Sequence, residues 1–309
     1  MALTLLEAAK RHSGDVLRAA IVSIYAQESD ILRVLPFDDI AGNALKYNVE
    51  NALPGIGFRG LNEGYTESTG VINPQVEQLV IAGGDLDVDK FIVRTMGADQ
   101  RSAQEALKLK ALAHKFSNTF IKGDSQTTAK EFDGLQVRLT GNQLIAAGST
   151  SGGDALSLAK LDELIDAVDN PTHLLMTKAM RRLLTTASRN SSIGGFIQWD
   201  LDAFGRKVAV YAGLPILIAD ANSDVYQTLA FNEANPGGGS NVGTSIYCMS
   251  LMEGMLQGIQ SAMPEVADLG EIQTKPVFRT RVEWYTGMCL MHPRAAGRLY
   301  GIKNAAVTA

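Results

Sequence analysis

Residues 44–80 carry no helical periodicity, and that stretch limits the possible folds more than any motif does. Leu45, Tyr47 and Val49 alternate with Lys46, Asn48 and Glu50, which predicts a half-exposed strand. A Gly-rich run and polar residues with Pro74 follow. Val76, Leu79, Val80 and Ile81 then read as a returning strand. A long, mostly polar two-stranded hairpin is marginal in water by itself. The chain therefore has to provide, or find, a surface that carries it.

The run contains Gly55-Ile56-Gly57-Phe58-Arg59-Gly60, the G-x-G-x-x-G spacing of dinucleotide-binding proteins. That chemistry needs a helix directly afterwards, because the helix N-terminus supplies the N–H groups and positive dipole that hold the pyrophosphate. The next residues, Leu61-Asn62-Glu63-Gly64-Tyr65-Thr66-Glu67-Ser68-Thr69-Gly70, have turn composition instead. Glu77 falls near the expected ribose-binding acid, but it sits in the returning strand. The glycines are read as a bend in a loop.

Other motifs fail for equally specific reasons. Gly83-Gly84-Asp85-Leu86-Asp87-Val88-Asp89 starts like a calcium loop, yet Lys90 and Met96 stand where Gly and Glu are required. An alternating strand with one acidic face fits better. The Gly-rich loop 235–243 lacks the Lys-Ser/Thr of a phosphate loop. Gly148-Ser149-Thr150-Ser151-Gly152 does not centre a serine for a nucleophile elbow. His12, His114, His173 and His292 are scattered, and His173 reads as a satisfied core residue. Cys248 and Cys289 show no paired spacing and read as small buried hydrophobes in a reducing compartment. No catalytic, cofactor-binding or metal-binding residue is assigned.

The clearest helix is expected over residues 98–122. Ala106, Leu109, Ala113, Phe116 and Phe120 make one apolar stripe, and Gly123 stops it. Arg101, Lys108, Lys115 and Lys122 recur every seven residues and drift only about 20° per step. This basic stripe is either a solvated face or one that meets acidic loops of a neighbour or a polyanion. An amphipathic helix is expected over 15–30, without a local core to pack on. A Gly/Ser linker at 148–153 precedes an alternating α/β segment. Leu158, Leu161, Ile165 and Val168 mark a helix ending at Asn170-Pro171. A strand follows at 173–176, then a helix capped by Thr177 with Met180, Leu183, Leu184 and Ala187 inward. Strands are expected at 207–211, 214–219, 226–231 and 245–251, with a mobile loop at 235–243. Phe278, Thr280, Val282 and Trp284 alternate with charged residues; another strand is expected at 288–291. His292-Pro293-Arg294-Ala295-Ala296-Gly297 reads as the start of a short helix. Strands on both sides of the α/β segment are expected to share a sheet.

The formal charge of −5 argues against a dedicated nucleic-acid binder. The N-terminus lacks the layout of a signal peptide, and the apolar run 208–219 is too short, and too broken by Gly213 and Pro215, to span a membrane. A soluble, cytoplasmically made protein is expected.

The order of these features resembles the major capsid proteins of tailed phages, which share the Hong Kong 97-type fold. The resemblance is carried by LPFDDIAGNALKYNVENALPGIGFRGLNEGYTESTGV, GGDLDVDKFIV, the long helix running into KGDSQTTAKEFDGLQVRL, and RVEWYTGMCLMHPRAAGRLYGI. It implies an α+β fold with an N-terminal arm (1–45), an extended loop hairpin (46–82), a peripheral domain (83–150 and 264–309) with its spine helix (98–122), and an inserted axial α/β domain (151–263). It further implies a non-enzymatic shell protein that self-assembles into pentamers and hexamers, forming an icosahedral head around double-stranded DNA held without sequence specificity. Portal, scaffold or decoration proteins would be partners; no membrane and no cofactor would be involved. The protein would be assembled in the host cytoplasm and end in the virion. About thirty residues precede the stretch that begins LPFDDIAG at Leu35, so a scaffold is expected to be a separate protein. Some family members cross-link Lys to Asn; Lys46 and Asn304 are available types, but no motif identifies such a bond. Phe58, Arg59, Glu63 and Tyr65 are the expected subunit-interface residues. Arg101, Lys108, Lys115 and Lys122 would face the lumen or a neighbour. The competing readings are an encapsulin-type compartment shell and, more distantly, a cytosolic α/β enzyme built on 151–263.

Overall fold

The computed structural model describes residues 3–4, 29–52, 54–96, 99–190, 197–201, 207–219 and 228–308. The helix expected over 15–30 falls outside them except for its last two residues. A two-residue strand β1 (Leu3–Thr4) comes first. Ser29 caps α1 (Asp30–Val34) by accepting from Leu32 N at 3.3 Å, and β2 (Pro36–Asp39) follows. The hairpin is β3 (Ala44–Ala52) and β4 (Val71–Gln78), continuing into β5 (Val80–Asp89). Two helices, α2 (Lys90–Met96) and the long α3 (Asp99–Lys122), come next. Then come α4 (Leu135–Arg138), β6 (Leu144–Ala146), α5 (Leu158–Asp166), β7 (His173–Met176) and α6 (Lys178–Ser188). Seven strands follow: β8 (Ile197–Leu201), β9 (Lys207–Tyr211), β10 (Leu214–Ile218), β11 (Thr244–Met249), β12 (Leu256–Gln260), β13 (Glu265–Glu271) and β14 (Val277–Leu290). β15 (Ala296–Ile302) closes the order.

These strands form two large sheets and the separate hairpin. One sheet has the order β1-β2-β12-β14-β13, with β5 also on β14; the other runs β6-β15-β11-β7-β10-β9-β8. The alternation over 278–284 is realised in β14, where Thr280, Val282 and Trp284 are buried beneath α3 while Arg279 and Arg281 face outward. Leu109, Ala113, Phe116 and Phe120 of α3 close that core, as their spacing requires. Phe116 sits 4.9 Å from Trp284 and 5.7 Å from Phe132, ring centre to ring centre.

The seven-stranded sheet is the wall between two cores. Leu175, Leu217, Tyr247, Met249 and Ala296 join the core of α3. Their neighbours Leu174, Met176, Ile216, Ile246, Cys248 and Leu299 join a second core under α5 and α6. Successive side chains of a strand point to opposite faces, so a strand buried on both faces must be apolar throughout. This is why His173–Met176 and Thr244–Met249 show no polar alternation.

Several expectations are corrected. The helix expected from His292 is a turn, with Ala295 N donating to His292 O at 3.0 Å, that leads into β15. Gly297 lies in that strand because Leu164 and Val168 pack on it; a Cβ there would sit 3.0 Å and 3.2 Å from them. The strand expected at 288–291 is the end of β14. Of the strand expected at 226–231, the described residues 228–231 form bends and turns, with Leu229 buried. β8, β12 and β13 were not expected. The loop 235–243 is tied down by Asn235 Nδ2 donating to Ser240 O at 2.7 Å and Gly152 N donating to Gly238 O at 3.0 Å. Strand pairing also crosses the expected domain limits: β6 and β15 lie in the sheet of the α/β segment, whereas β12 lies in the sheet of β14.

Candidate subunit-interaction surface

The hairpin is joined to the body at its base. Glu77 of β4 makes a two-pronged ion pair with Arg138 of α4, one contact measuring 2.7 Å. Both side chains are largely buried, at 17% and 14% exposure. Arg138 Nε also donates to Asp133 O at 2.7 Å. Burial works against the guanidinium charge, but the Glu77 hydrogen bonds and charge outweigh it, so its pKa is raised. Tyr47 Oη donates to Glu77 Oε1 at 3.3 Å and to Leu290 O at 3.2 Å. Burial, then the nearby Cys289 and Glu77, hold this phenol above its ordinary range. Cys289 is itself buried and reduced, its thiol pushed up to about 12 by burial; Cys248 behaves alike. Neither thiol is a nucleophile at neutral pH. The hairpin base, formed by β3 and β4, is thus held by α4 and by the end of β14.

The tip has no such support. Residues 54–70 contain no helix or strand, and every one of them is exposed. No helix follows Gly60, which removes the dinucleotide reading. Ile56, Phe58 and Leu61 are 96%, 109% and 94% exposed, so three large apolar side chains stand in water together. The tip nevertheless has internal order. Glu63 N donates to Gly60 O at 3.3 Å, and Asn62 takes φ 66° at the third position of that turn. The Glu63 carboxylate accepts from Gly60 N at 2.9 Å, and Arg59 donates to Glu63 O at 3.2 Å. The Arg59 guanidinium lies 5.3 Å from the Tyr65 ring centre. Ser68 Oγ donates across the tip to Gly55 O at 2.9 Å. The sharp turn therefore falls at Asn62; Gly55, Gly57 and Gly60 do not adopt positive φ. The structure brings Arg59, Glu63 and Tyr65 together and leaves Phe58 projecting.

The basic stripe of α3 is placed against acids of the same chain. Arg101 pairs with Asp268 at 2.5 Å and Glu105 at 3.2 Å. Lys108 lies over Gly84 and beside Asp85, lowering the Asp85 pKa after the larger effect of Arg281. Lys115 pairs with Glu131 at 2.6 Å, and Lys122 approaches Glu233 at 4.0 Å. Glu233 is buried and bonds Gln136, Ser245 and Arg298, which ties the end of α3 to β11 and β15. The acidic face of β5 is likewise matched: Asp87 meets Arg279 and Asp85 meets Arg281 across the β5–β14 register. No group of three or more metal-ligating side chains occurs among the described residues, and no described helix is long and apolar enough to cross a membrane.

Residues 13–161 match the family model for major capsid protein GP7. No curated protein matches the sequence. The fold is similar to the SrpI encapsulin complex from Synechococcus elongatus, at 16% identity and TM-score 0.65, covering 90% of this chain and 89% of that chain. It is similar to the capsid of a native GTA particle at 14% identity and TM-score 0.61, covering 90% of each chain. The chain of Mycobacterium phage Bobi is 12% identical with TM-score 0.62, covering 88% of this chain and 90% of that one. At such identities the structural likenesses establish a shared fold.

Proposed function

We propose that this chain is a major capsid shell protein of the tailed-phage type and assembles into the pentamers and hexamers of an icosahedral head that encloses double-stranded DNA; the family-model match over residues 13–161 and the fold shared with phage and GTA capsids support this. The observation that carries the proposal is the contrast within the hairpin. Its base is fixed by Tyr47, Glu77 and Arg138, while its tip holds Ile56, Phe58 and Leu61 in solvent. A rigid arm ending in an apolar tip is stable only when another surface covers that tip. In a closed shell, each subunit both offers a tip and covers one, so many modest contacts sum to a strong assembly. Phe58, Arg59, Glu63 and Tyr65 are the interface residues on this reading.

The charge supports containment of DNA over binding to it. The chain carries a formal −5, and the basic stripe is met by Asp268, Glu131 and Glu233. A lumen wall of this kind gives little of the phosphate attraction that comes from unmatched Lys and Arg. The role is structural and not enzymatic. Portal, scaffold or decoration proteins would join the same head, and assembly would take place in the host cytoplasm.

An encapsulin-type compartment is the second reading, supported by the fold shared with SrpI. The contents of purified particles separate the two: DNA for a head, protein cargo for a compartment. Deleting residues 52–70 tests the assembly reading itself. The subunit should remain folded, because residues 54–70 are all exposed and none lies in the core, and should fail to close shells. Normal shells from the deletion would remove the role given to the hairpin.

A further inference from the structure

The two helices over the second core carry charges of opposite sign. On α5, Asp162, Glu163 and Asp166 are exposed. Its one base, Lys160, pairs with Glu163 at 2.6 Å. Asp162 accepts from Tyr211 Oη at 2.8 Å, and the Asp166 carboxylate enters no ion pair among the described residues. On α6 there is no acid. Lys178, Arg182 and Arg189 are exposed at spacings of four and seven, which puts them on one face. The guanidinium groups of Arg182 and Arg189 enter no ion pair among the described residues, in contrast to the stripe of α3. Each helix also repels itself, because Asp162 and Asp166, like Lys178 and Arg182, are like charges four residues apart.

The two faces cannot meet within one chain. α5 packs on β15, where Leu164 and Val168 lie against Gly297. α6 packs on β8, where Arg181 lies 6.0 Å from the Trp199 ring centre. In the order β6-β15-β11-β7-β10-β9-β8 those two strands are five steps apart, roughly 24 Å at the spacing of neighbouring strands. The acidic helix therefore stands towards one edge of the sheet and the basic helix at the other. Trp199 and Leu201, 54% and 64% exposed, add apolar surface on the basic side. The acid of β8, Asp200, alternates to the other face of the strand and accepts from Leu201 N at 2.8 Å.

We propose that the basic face of α6 receives the acidic face of α5 from a second copy of this chain, with Arg182 and Arg189 opposite Asp162 and Asp166. This rests on the shell reading above and names a charged seam between copies. Joining two different faces of identical subunits makes a head-to-tail contact, which repeats until the rotation closes a ring. Opposed charges in that seam fix its register and reject the reversed orientation, in which like faces would meet.

A charge swap in the full chain tests the seam. Asp162 is left in place because it holds Tyr211. Arg182→Glu and Asp166→Lys should each lower the yield of closed shells roughly tenfold, with the melting temperature of the unassembled subunit unchanged. The two together should restore the yield. A double variant no better than either single one overturns the inference, as does full yield from both single variants. Shells of normal yield that lose their DNA in Arg182→Glu would give α6 to phosphate groups and also overturn it. Independently, Asp166→Cys/Arg182→Cys shells treated with a short bis-maleimide should give a covalent ladder of subunits, absent from unassembled protein and from either single cysteine variant. The native Cys248 and Cys289 are buried and do not compete. Shells without a ladder overturn the seam and leave the shell reading intact; failure of the unmodified protein to form shells sinks both.

Discussion

Replacing Glu77 with Gln should release the hairpin from the body without unfolding the protein. The substitution keeps the shape but removes the charge opposite Arg138. One guanidinium nitrogen then faces an amide NH2 where it had a carboxylate oxygen. Breaking a fully buried pair by removing one partner costs about 3–5 kcal/mol. Here the side chains keep 17% and 14% exposure, and Arg138 retains its bond to Asp133 O. A cost of about 2 kcal/mol is therefore expected. That energy is localised, because the hairpin strands pair only with each other. Opening of the base is expected to become roughly 30-fold more frequent. Hydrogen exchange on unassembled protein reads this directly: amides of residues 44–48 and 75–78 should exchange faster by that factor, while those of β11 do not change. Equal acceleration in β11 would mean that the pair stabilises the body and not the arm. No acceleration anywhere would refute the anchor altogether.

Three further outcomes are expected. Asp85, Asp87 and Asp268 have lowered pKa values, owing first to hydrogen bonds from Arg281, Arg279 and Arg101 respectively. A lowered folded pKa contributes stability above the unfolded value of about 3.9, lost as pH falls through the folded value; melting temperature should therefore drop below about pH 4, and less so in Asp85→Asn/Asp87→Asn. Gly123→Ala should destabilise by about 1–3 kcal/mol in urea unfolding, because the added Cβ would overlap the Phe132 and Thr119 carbonyl oxygens. Lys108→Glu/Lys115→Glu should disturb particle assembly or genome retention, and particles normal in yield and content would count against a role for that face.

The parts of the fold that could be read from sequence are those with a single buried face. Ala106 to Phe120 on α3 and Thr280 to Trp284 on β14 each bury one side, so their periodicity identifies them. β12 (Leu-Gln-Gly-Ile-Gln) is buried throughout and has no alternation; Gly258 is there because Phe37 packs where its Cβ would be. β15 looked helical because Pro293 and two alanines imitate a helix start, whereas small residues are needed there under α5. The tip was legible as a helix-free, glycine-rich loop with Phe58 in it; the exposure of Ile56 and Leu61 beside Phe58 has no signal in the sequence. Its anchor was not: Glu77 and Arg138 are 61 residues apart, and no local pattern links them. The same holds for the partners of the basic stripe, since Asp268 and Glu233 reach α3 only through the sheets.

The central claim is that the ordered form of this chain is a closed shell made of its own copies. Electron microscopy of the purified protein tests it most directly. The account predicts hollow, closed particles tens of nanometres across, with the tip of each hairpin covered by a neighbouring subunit. A stable small oligomer with solvent-exposed tips would contradict it.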